Sequence, residues 1–269
     1  MVSSANDFPA FSIITVTYND NSGLKQTYES IKNQVYKDYE WIVIDGDSRD
    51  NTIEFLRSDL VIKSNWISEK DSGIYDAMNK GIKLCSGQYL VFLNAGDVFP
   101  SAVTLENIHS FILSEKQIPD VIMGGATFLL PNGIKMYKFP RLIDEYIWHG
   151  VPANHQSTYF KYSAIKDTLY DVQYKICGDY YIIAKMFIKR VKFSYLNEPL
   201  VDFKVGGASY RRLLVLWRES YLVKKHVLHL PFPLRLKSLI KSIISTLGLI
   251  VLSQNCFRWM AKLIIKKRI

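Results

Sequence analysis

The sequence predicts an α/β fold with a mostly parallel central sheet flanked by helices, and three observations predict it. Short apolar runs rich in β-branched residues alternate with helical patterns four times along residues 11–97. The runs are almost continuously apolar, as in strands that helices cover on both faces. The connections between them are short, as in the βα units of a parallel sheet.

Polar residues follow each predicted strand of this first half. The strands comprise residues 11–18, 40–45, 61–67 and 89–93. Turn and cap residues at 19–22 and 50–52 begin the first two helices, and residues 74–84 form the next, with Ile74 on the same face as Met78. Because ligands bind at the carboxyl ends of strands in such sheets, the polar clusters beyond these strands mark the predicted site.

The pattern changes after Asp97 to a mixed α+β half. Helices are predicted at residues 101–113 and 178–189, a hairpin joins 121–130 to 134–139 through Pro131-Asn132-Gly133, and short strands follow at 191–196 and 200–204. No internal repeat or Pro/Ser-rich linker divides these elements. We therefore expect one composite domain, residues 1–210, followed by a helical tail, residues 211–269.

Charge is distributed unevenly along the chain. Ten of the 34 Lys and Arg follow Glu219, the last acidic residue, so residues 220–269 are wholly basic and the rest is nearly neutral. The uncharged stretch 242–257 is too short for a spanning helix, which needs about 20 mostly apolar residues. Apolar residues flanked by Lys and Arg favour a helix lying on an anionic membrane surface. The alternative is an amphipathic cap with a solvated basic face; a nucleic-acid partner is not expected.

Several classes of protein are excluded by what the sequence lacks. Cys85, Cys177 and Cys256 are few, odd in number and far apart, which argues against a disulfide framework or a Cys-rich zinc site and favours packed, reduced thiols. No G-x-G-x-x-G, P-loop or G-x-S-x-G motif is present, so dinucleotide, P-loop and acyl-hydrolase sites are disfavoured. The first ten residues contain no basic and apolar leader, so we expect a cytoplasmic location.

Carboxylates and amides remain as the chemistry of the strand ends. They cluster at Tyr18–Asn19, Asp45–Ser48, Asp71 and Asn94–Asp97. Such oxygens suit a hard divalent cation, which in turn binds the phosphates of a nucleotide diphosphate and stabilises it as a leaving group. Taken singly, each acid can be explained as a helix cap or a solvated loop residue, and this explanation is preferred for Asp47, Asp50 and Asp59. The prediction therefore depends on the clusters converging at one sheet edge.

Three segments carry a resemblance to a known family. FSIITVTYN, WIVIDGDSRDNT and SGIYDAMNKGIKLCSGQYLVFLNAGD resemble the family 2 glycosyltransferases, in particular the branch of bacterial exopolysaccharide, colanic-acid and O-antigen synthesis. The resemblance runs over residues 11–210. It implies a Rossmann-like GT-A fold, with a nucleotide-sugar half at residues 11–97 and an acceptor half at 98–210, and inversion at the anomeric carbon.

The resemblance also implies a set of donor-binding residues. Residues 17–19 end the first strand where the family holds the base and ribose, and Asp45 would accept a hydrogen bond from the base. Gly46 and Asp47 reverse the family's order of acid and glycine. Asp76 and Lys80, on the next helix, are equally well explained as a solvated face. The implied donor contacts are Thr17, Tyr18, Asn19, Asp45, Asp71, Asn79, Asn94 and His155.

The implied metal and base residues complete the site. The family's D-x-D-D motif is replaced by Asn94-Ala95-Gly96-Asp97, which leaves Asp97 as the carboxylate for Mg²⁺ or Mn²⁺. Asp179 matches the acid that takes the proton from the acceptor hydroxyl, although Asp is also a common helix cap at such a position. His155 is equally well a packed histidine, and residues 206–209 are predicted to form a lid.

The sequence therefore predicts an inverting glycosyltransferase. A nucleotide sugar, with UDP favoured, would donate to a hydroxyl of a glycan or lipid-linked glycan, and residues 220–269 would hold the enzyme on the inner face of the cell membrane. One alternative is a nucleotidyltransferase, which would need a Gly-rich basic loop where Tyr18-Asn19-Asp20 stands. The other is a catalytically silent membrane-associated scaffold, which the missing acids at Asn94 and Gly96 favour.

Overall fold

An eight-stranded sheet forms the centre of the computed structural model, which describes residues 8–58, 64–130, 133–204 and 212–244. The strands are β1 (Phe11–Thr17), β2 (Tyr39–Asp45), β3 (Asn65–Ser68), β4 (Tyr89–Phe92), β5 (Val121–Leu129), β6 (Lys135–Lys138), β7 (Thr158–Lys161) and β8 (Phe193–Lys204). They lie in the order β3-β2-β1-β4-β7-β5-β6, and β8 pairs with β5. The first four in this order are parallel to one another, whereas β7 is antiparallel to both β4 and β5. The predicted α/β fold is confirmed.

Helices cover both faces of this sheet. They are α1 (Asn21–Lys32), α2 (Thr52–Arg57), α3 (Ile74–Leu84), α4 (Thr104–Ser114), α5 (Ile143–Tyr146), α6 (Tyr162–Ile165), α7 (Gly178–Ile188), α8 (Leu213–His226) and α9 (residues 232–244). Alternate residues of β1 enter opposite cores: Ile14 packs with α3 and α7, whereas Ile13 packs with α1 and α4. All of β1 is buried as a result, which explains its unbroken apolar sequence.

Two predicted strand boundaries differ from the structure. The third strand is limited to β3 within the described part of the chain, and residues 61–63 of the prediction lie outside that part. The two short strands predicted at 191–196 and 200–204 are one strand, β8. Pro199 interrupts the apolar pattern but not the strand, because the register with β5 shifts beside Gly125 and accommodates it.

The tail helices α8 and α9 are attached to the body. Val223, Val227 and Leu228 belong to the same core as α3 and α7. The Ser238 hydroxyl of α9 donates to the Trp148 carbonyl over 3.2 Å. No helix among the described residues is long and apolar enough to cross a membrane. Residues 245–269, with most of the uncharged stretch, lie outside the described part of the chain.

Candidate active site

A cavity of about 730 Å³ opens at the carboxyl ends of β1 and β2, beside the first turn of α3. It is lined by Val16, Thr17, Tyr18, Gly46, Asp47, Arg49, Lys70, Asp71, Gly73, Ile74, Ala77 and Asn94. The predicted donor residues among them are Thr17, Tyr18, Asp71 and Asn94. Ile74, predicted on the buried face of α3, is instead 43% exposed at this cavity because the first turn of the helix extends past the sheet. The cavity lies at the edge where such sheets bind ligands.

Buried polar atoms without protein partners surround this edge. Within the described residues, Thr17 Oγ1, Asn21 Oδ1, Asp45 Oδ1 and Asn94 Oδ1 are buried and have no hydrogen-bond partner. Leaving such an atom unsatisfied costs about 1–3 kcal/mol, so each requires an explanation. Three of the four belong to residues predicted to bind a donor. A polar ligand bound at this edge would supply the missing partners.

Asp45 ends β2 beneath the cavity and is completely buried. Its Oδ2 accepts hydrogen bonds from the Ser68 hydroxyl at 2.6 Å and the Ser48 backbone N–H at 3.0 Å. These bonds orient the carboxylate and hold the turn after β2 against β3. They leave Oδ1 as the carboxylate oxygen without a hydrogen-bond partner.

Asn19 joins the loops that follow β1 and β2. Its backbone N–H donates to Ser48 Oγ at 2.7 Å, and its side-chain oxygen accepts from the Arg49 N–H at 2.8 Å. The residue has φ 51°, a left-handed conformation that Asn tolerates better than most residues. Asn19 does not line the cavity, so the structure shows it holding the two loops together.

The exchange of acid and glycine at residues 46–47 has a steric reason. A Cβ at Gly46 would lie 3.1 Å from Asp71 Oδ2 and 3.3 Å from the Tyr18 ring. Glycine therefore allows the β2 loop to approach both cavity residues closely. Asp47 then takes the left-handed position, with φ 68°, where Asp is among the tolerated residues.

Two cations at the cavity were not identified from the sequence. Arg49 follows β2 and Lys70 follows β3, and both line the cavity. Arg49 and Lys70 lie in the same loops as the carboxylates that follow β2 and β3, and this position in the sequence is the signal that would have found them. By contrast, the Lys80 Nζ forms ion pairs with Asp71 Oδ1 at 2.5 Å and with Glu69 Oε1 at 2.9 Å. The cavity thus presents positive charge as well as acceptor oxygens.

Asn79 and His155 are packed residues rather than cavity residues. The Asn79 amide donates to the Tyr170 carbonyl and accepts from the Tyr170 N–H, both at 2.8 Å. His155 Nε2 shares a 2.6 Å hydrogen bond with the Tyr170 hydroxyl, and burial lowers the pKa of this histidine to about 4. Its ring packs on Phe92. Both side chains are buried against Tyr170 and neither lines the cavity, so the donor contact predicted for Asn79 and His155 stays a prediction.

Asp97 lies in a tight turn after β4. Gly96, which stands where the family has an acid, has φ 90°, a conformation that side chains rarely adopt. Thr27 Oγ1 of α1 accepts from the Gly96 N–H at 3.0 Å and donates to the Asp97 carbonyl at 2.8 Å. Burial raises the pKa of the Asp97 carboxyl to about 7, although the Lys204 backbone N–H and the Gln156 side chain bond to it.

The side chains present do not form a metal site by themselves. Within the described residues there is no group of three or more His, Cys, Asp or Glu placed to hold a cation. Asp97 is the carboxylate that follows β4, and the turn that requires Gly96 removes a second. A divalent cation at this edge therefore needs further oxygens, which the described part of the chain does not supply as a preformed set.

Asp179 lies in the first turn of α7, partly buried. Burial raises the pKa of its carboxyl to about 6, against the hydrogen bond that it accepts from the Tyr180 N–H at 2.7 Å. The rings of Tyr75 and Tyr170 stack with their centroids 5.3 Å apart. After burial, the negative charge of Asp179 also raises the pKa of both hydroxyls. A carboxylate of this pKa is suited to accept a proton near neutral pH.

None of the three acids of the predicted mechanism is part of the cavity lining. Asp45 directly precedes the lining residue Gly46, whereas Asp97 and Asp179 lie in other segments. The segment between them connects the latter two: Gln156 bonds to Asp97, and the neighbouring His155 bonds to Tyr170 beside Asp179. The predicted lid, residues 206–209, lies outside the described part of the chain.

Comparison with known sequences identifies relatives of the first half. Residues 12–126 match the family Glycosyl transferase family 2. An uncharacterized glycosyltransferase of Mycobacterium tuberculosis is 30% identical over 173 residues, which are 64% of this chain and 66% of that protein. A PGL/p-HBAD biosynthesis glycosyltransferase of Mycobacterium bovis is 36% identical over 131 residues, 46% of this chain and 49% of that protein. The chain thus spans two thirds or less of the length of these relatives.

Solved structures share the fold at low sequence identity. S. aureus TarS 1–349 in complex with UDP-GlcNAc has a TM-score of 0.64 and 17% identity, over 87% of this chain and 71% of that one. The mannosyltransferase PcManGT from Pyrobaculum calidifontis, in complex with GDP-Man and Mn²⁺, has a TM-score of 0.63 and 16% identity, over 93% and 80% of the two chains. These similarities extend the shared fold beyond residue 126.

Proposed function

Because this chain belongs to glycosyltransferase family 2, we propose that it transfers a sugar from a nucleotide diphosphate to a hydroxyl of a glycan or lipid-linked glycan, with inversion. The observation that carries the proposal is the set of buried, unsatisfied oxygens of Thr17, Asp45 and Asn94 around a cavity of about 730 Å³. A nucleotide sugar would donate hydrogen bonds to these oxygens and would fill the cavity.

The donor would bind with its base towards Asp45 and its diphosphate towards the cations. Asp45 Oδ1 accepts an N–H of the base, and the Tyr18 ring, 65% exposed at the cavity, packs on its face. Arg49 and Lys70 neutralise the diphosphate. UDP-GlcNAc in TarS and GDP-Man in PcManGT support a nucleotide-sugar donor, and we favour UDP.

Asp179 would act as the base. Its carboxylate takes the proton of the acceptor hydroxyl while that oxygen attacks the anomeric carbon from the face opposite the diphosphate. The bond from the anomeric carbon to the phosphate oxygen breaks, and its electron pair leaves with the nucleotide diphosphate. Attack from the opposite face inverts the anomeric configuration.

Binding of Mg²⁺ or Mn²⁺ stays a prediction, in which Asp97 is the carboxylate that the protein provides to the ion. The Mn²⁺ in PcManGT supports it. Since the described residues form no cation site of their own, we expect Mn²⁺ to bind only together with the nucleotide, whose phosphates complete its coordination. Calorimetric titration of Mn²⁺ with and without UDP measures this. Saturable binding of Mn²⁺ to the protein alone contradicts it, and D97N should weaken binding to the UDP complex.

The helical tail would place the enzyme on an anionic membrane, where a lipid-linked acceptor is found. Helix α9 is docked by one side, on which Ser238 is buried, yet Leu236, Ile240 and Ile244 on the other are 42%, 49% and 64% exposed. An exposed apolar face beside lysines is typical of a helix that lies in a membrane surface. We propose the inner face of the cell membrane as the location.

The test of the function is a panel of nucleotide sugars: UDP-glucose, UDP-galactose, UDP-GlcNAc and GDP-mannose. A donor should raise the melting temperature, since it binds the folded state, and should release nucleotide diphosphate on turnover. D45N should lose the shift, whereas D38N, a change of the same kind directly before β2 and so at the opposite end of that strand, should keep it. Absence of any shift contradicts donor binding. Binding without turnover favours the scaffold, and release of pyrophosphate favours the nucleotidyltransferase.

A further inference from the structure

Glu219, on α8, is a buried carboxylate that the proposed mechanism does not use. It is 5% exposed. Its two oxygens accept hydrogen bonds from three consecutive backbone N–H groups: Oε1 from Lys175 at 2.8 Å, and Oε2 from Ile176 at 2.8 Å and Cys177 at 2.9 Å. Charged hydrogen bonds of this kind are about twice as strong as neutral ones.

The three amides belong to the segment that leads directly into α7 and Asp179. Cys177 is the N-cap residue of α7, and its side chain makes no capping bond, so Glu219 supplies from α8 the anionic acceptor that this helix start lacks. The segment is also held from the opposite side, because the Tyr75 hydroxyl of α3 donates to the Ile176 carbonyl at 2.6 Å. The backbone before Asp179 is thus fixed by its N–H groups to α8 and by its C=O group to α3.

We propose that Glu219 is a positioning residue for Asp179, which fixes the backbone of residues 175–177 and thereby the direction of the catalytic carboxylate. The inference rests on the proposed role of Asp179 as base. Helix α8 belongs to the segment predicted from the sequence as the helical tail, and the proposal gives this helix a part in the reaction as well.

The charge of Glu219 gives this role a measurable signature. After burial, which is the main cause, the nearby negative charge of Glu219 also raises the pKa of Asp179. The other titratable groups that face Asp179 are the hydroxyls of Tyr75 and Tyr170 and the thiol of Cys177. Their pKa values are all raised, so these groups stay neutral near pH 6, and Glu219 is the charge that a substitution can remove.

The test compares E219Q with E219D and with E115Q. Glutamine offers one acceptor oxygen and turns an NH₂ group towards backbone N–H groups, so E219Q should lower kcat for nucleotide release about 10- to 100-fold and leave the donor KM within about twofold. The acidic limb of the pH profile of kcat should move to lower pH.

E219D keeps the charge, so it should lower kcat less and leave the acidic limb in place. E115Q removes a carboxylate bonded to Ser194 Oγ and Lys192 and should change neither.

Hydrogen exchange gives a second measurement that does not depend on turnover. The amides of residues 175–177 should exchange faster in E219Q than in the wild type, while those of β1 stay protected. A folded E219Q with wild-type kcat and an unmoved pH limb overturns the proposal, as do unchanged amides. If E219Q melts below the assay temperature, E219D decides: wild-type kcat overturns the proposal. A wild-type protein that releases no nucleotide from any donor is a different result, because it overturns the proposed function first.

Discussion

The chemistry at the residue scale depends on burial. Asp45 and Asp179 are both carboxylates at the candidate site, yet their surroundings differ. One hydroxyl and one backbone N–H donate to Asp45 and orient it, and its other oxygen has no hydrogen-bond partner. Asp179 has a pKa raised to about 6, principally by burial. The first is suited to accept a hydrogen bond from a ligand and the second to accept a proton.

Replacement of Asp179 separates catalysis from binding. We expect D179N to reduce nucleotide release about 1,000-fold or more while the donor binds within about threefold of wild type, because the base acts only in the transition state. Calorimetry with UDP and a turnover assay measure the two quantities. D171N, at a partly buried acid in the loop before α7, is the control. Equal loss of binding and turnover in D179N would refute the assignment.

The pH dependence follows from the same residue. The base must be ionised, so kcat should rise with pH through a limb near pH 6. The folded-state pKa is above the ordinary value of 3.8, so the folded protein binds the proton more tightly and stability falls as pH rises from about 4 to 6. Chemical denaturation should show a smaller decrease in the free energy of unfolding over this pH range for D179N than for the wild type. An identical pH dependence of stability in D179N and wild type contradicts the raised pKa.

Loops between regular elements decide which side chains reach the cavity. Hydrogen bonds at Asn19 join the loops after β1 and β2, and the close approach at Gly46 brings the second loop against Asp71. Arg49 and Lys70 enter the lining in this way. Strand and helix patterns predict where such loops begin, but not which of their side chains face the cavity.

The two cations should therefore determine affinity for the diphosphate. We expect R49A/K70A to weaken UDP binding about 10-fold or more and to reduce the salt dependence of binding, since the variant lacks two charges that neutralise the phosphates. Calorimetry at two salt concentrations measures both effects. K83A/K116A removes two exposed lysines outside the cavity lining and serves as the control. Equal affinities for both double variants would exclude this diphosphate contact.

At the scale of the whole molecule, the tail is joined to the catalytic body. Val223 of α8, with Val227 and Leu228 of the turn after it, completes the core that α3 and α7 begin. Glu219 of α8 bonds to the start of α7. The outward side of α9 carries exposed apolar residues beside lysines. One helical hairpin thus contacts both the catalytic half and the surroundings of the protein.

The membrane prediction is tested on this outward side. We expect I240S/I244S to reduce co-sedimentation with vesicles containing phosphatidylserine about 10-fold, because each isoleucine loses apolar surface otherwise buried in the lipid. L113S/I118S is the matched control, since Leu113 and Ile118 are also highly exposed but lie on and after α4. Unchanged sedimentation of I240S/I244S would exclude α9 as the membrane contact.

The sequence by itself determined the parallel half of the sheet, its polar edge and the position of Asp45, because apolar periodicity and helix caps are local properties of the chain. Only the tertiary structure decided that Arg49 and Lys70 face the cavity, that Asn79 is committed to Tyr170, and that Pro199 lies within a strand. It also brought Glu219 to amides more than 40 residues earlier in the chain. These outcomes depend on contacts between distant segments, and no local pattern specifies which distant groups will meet.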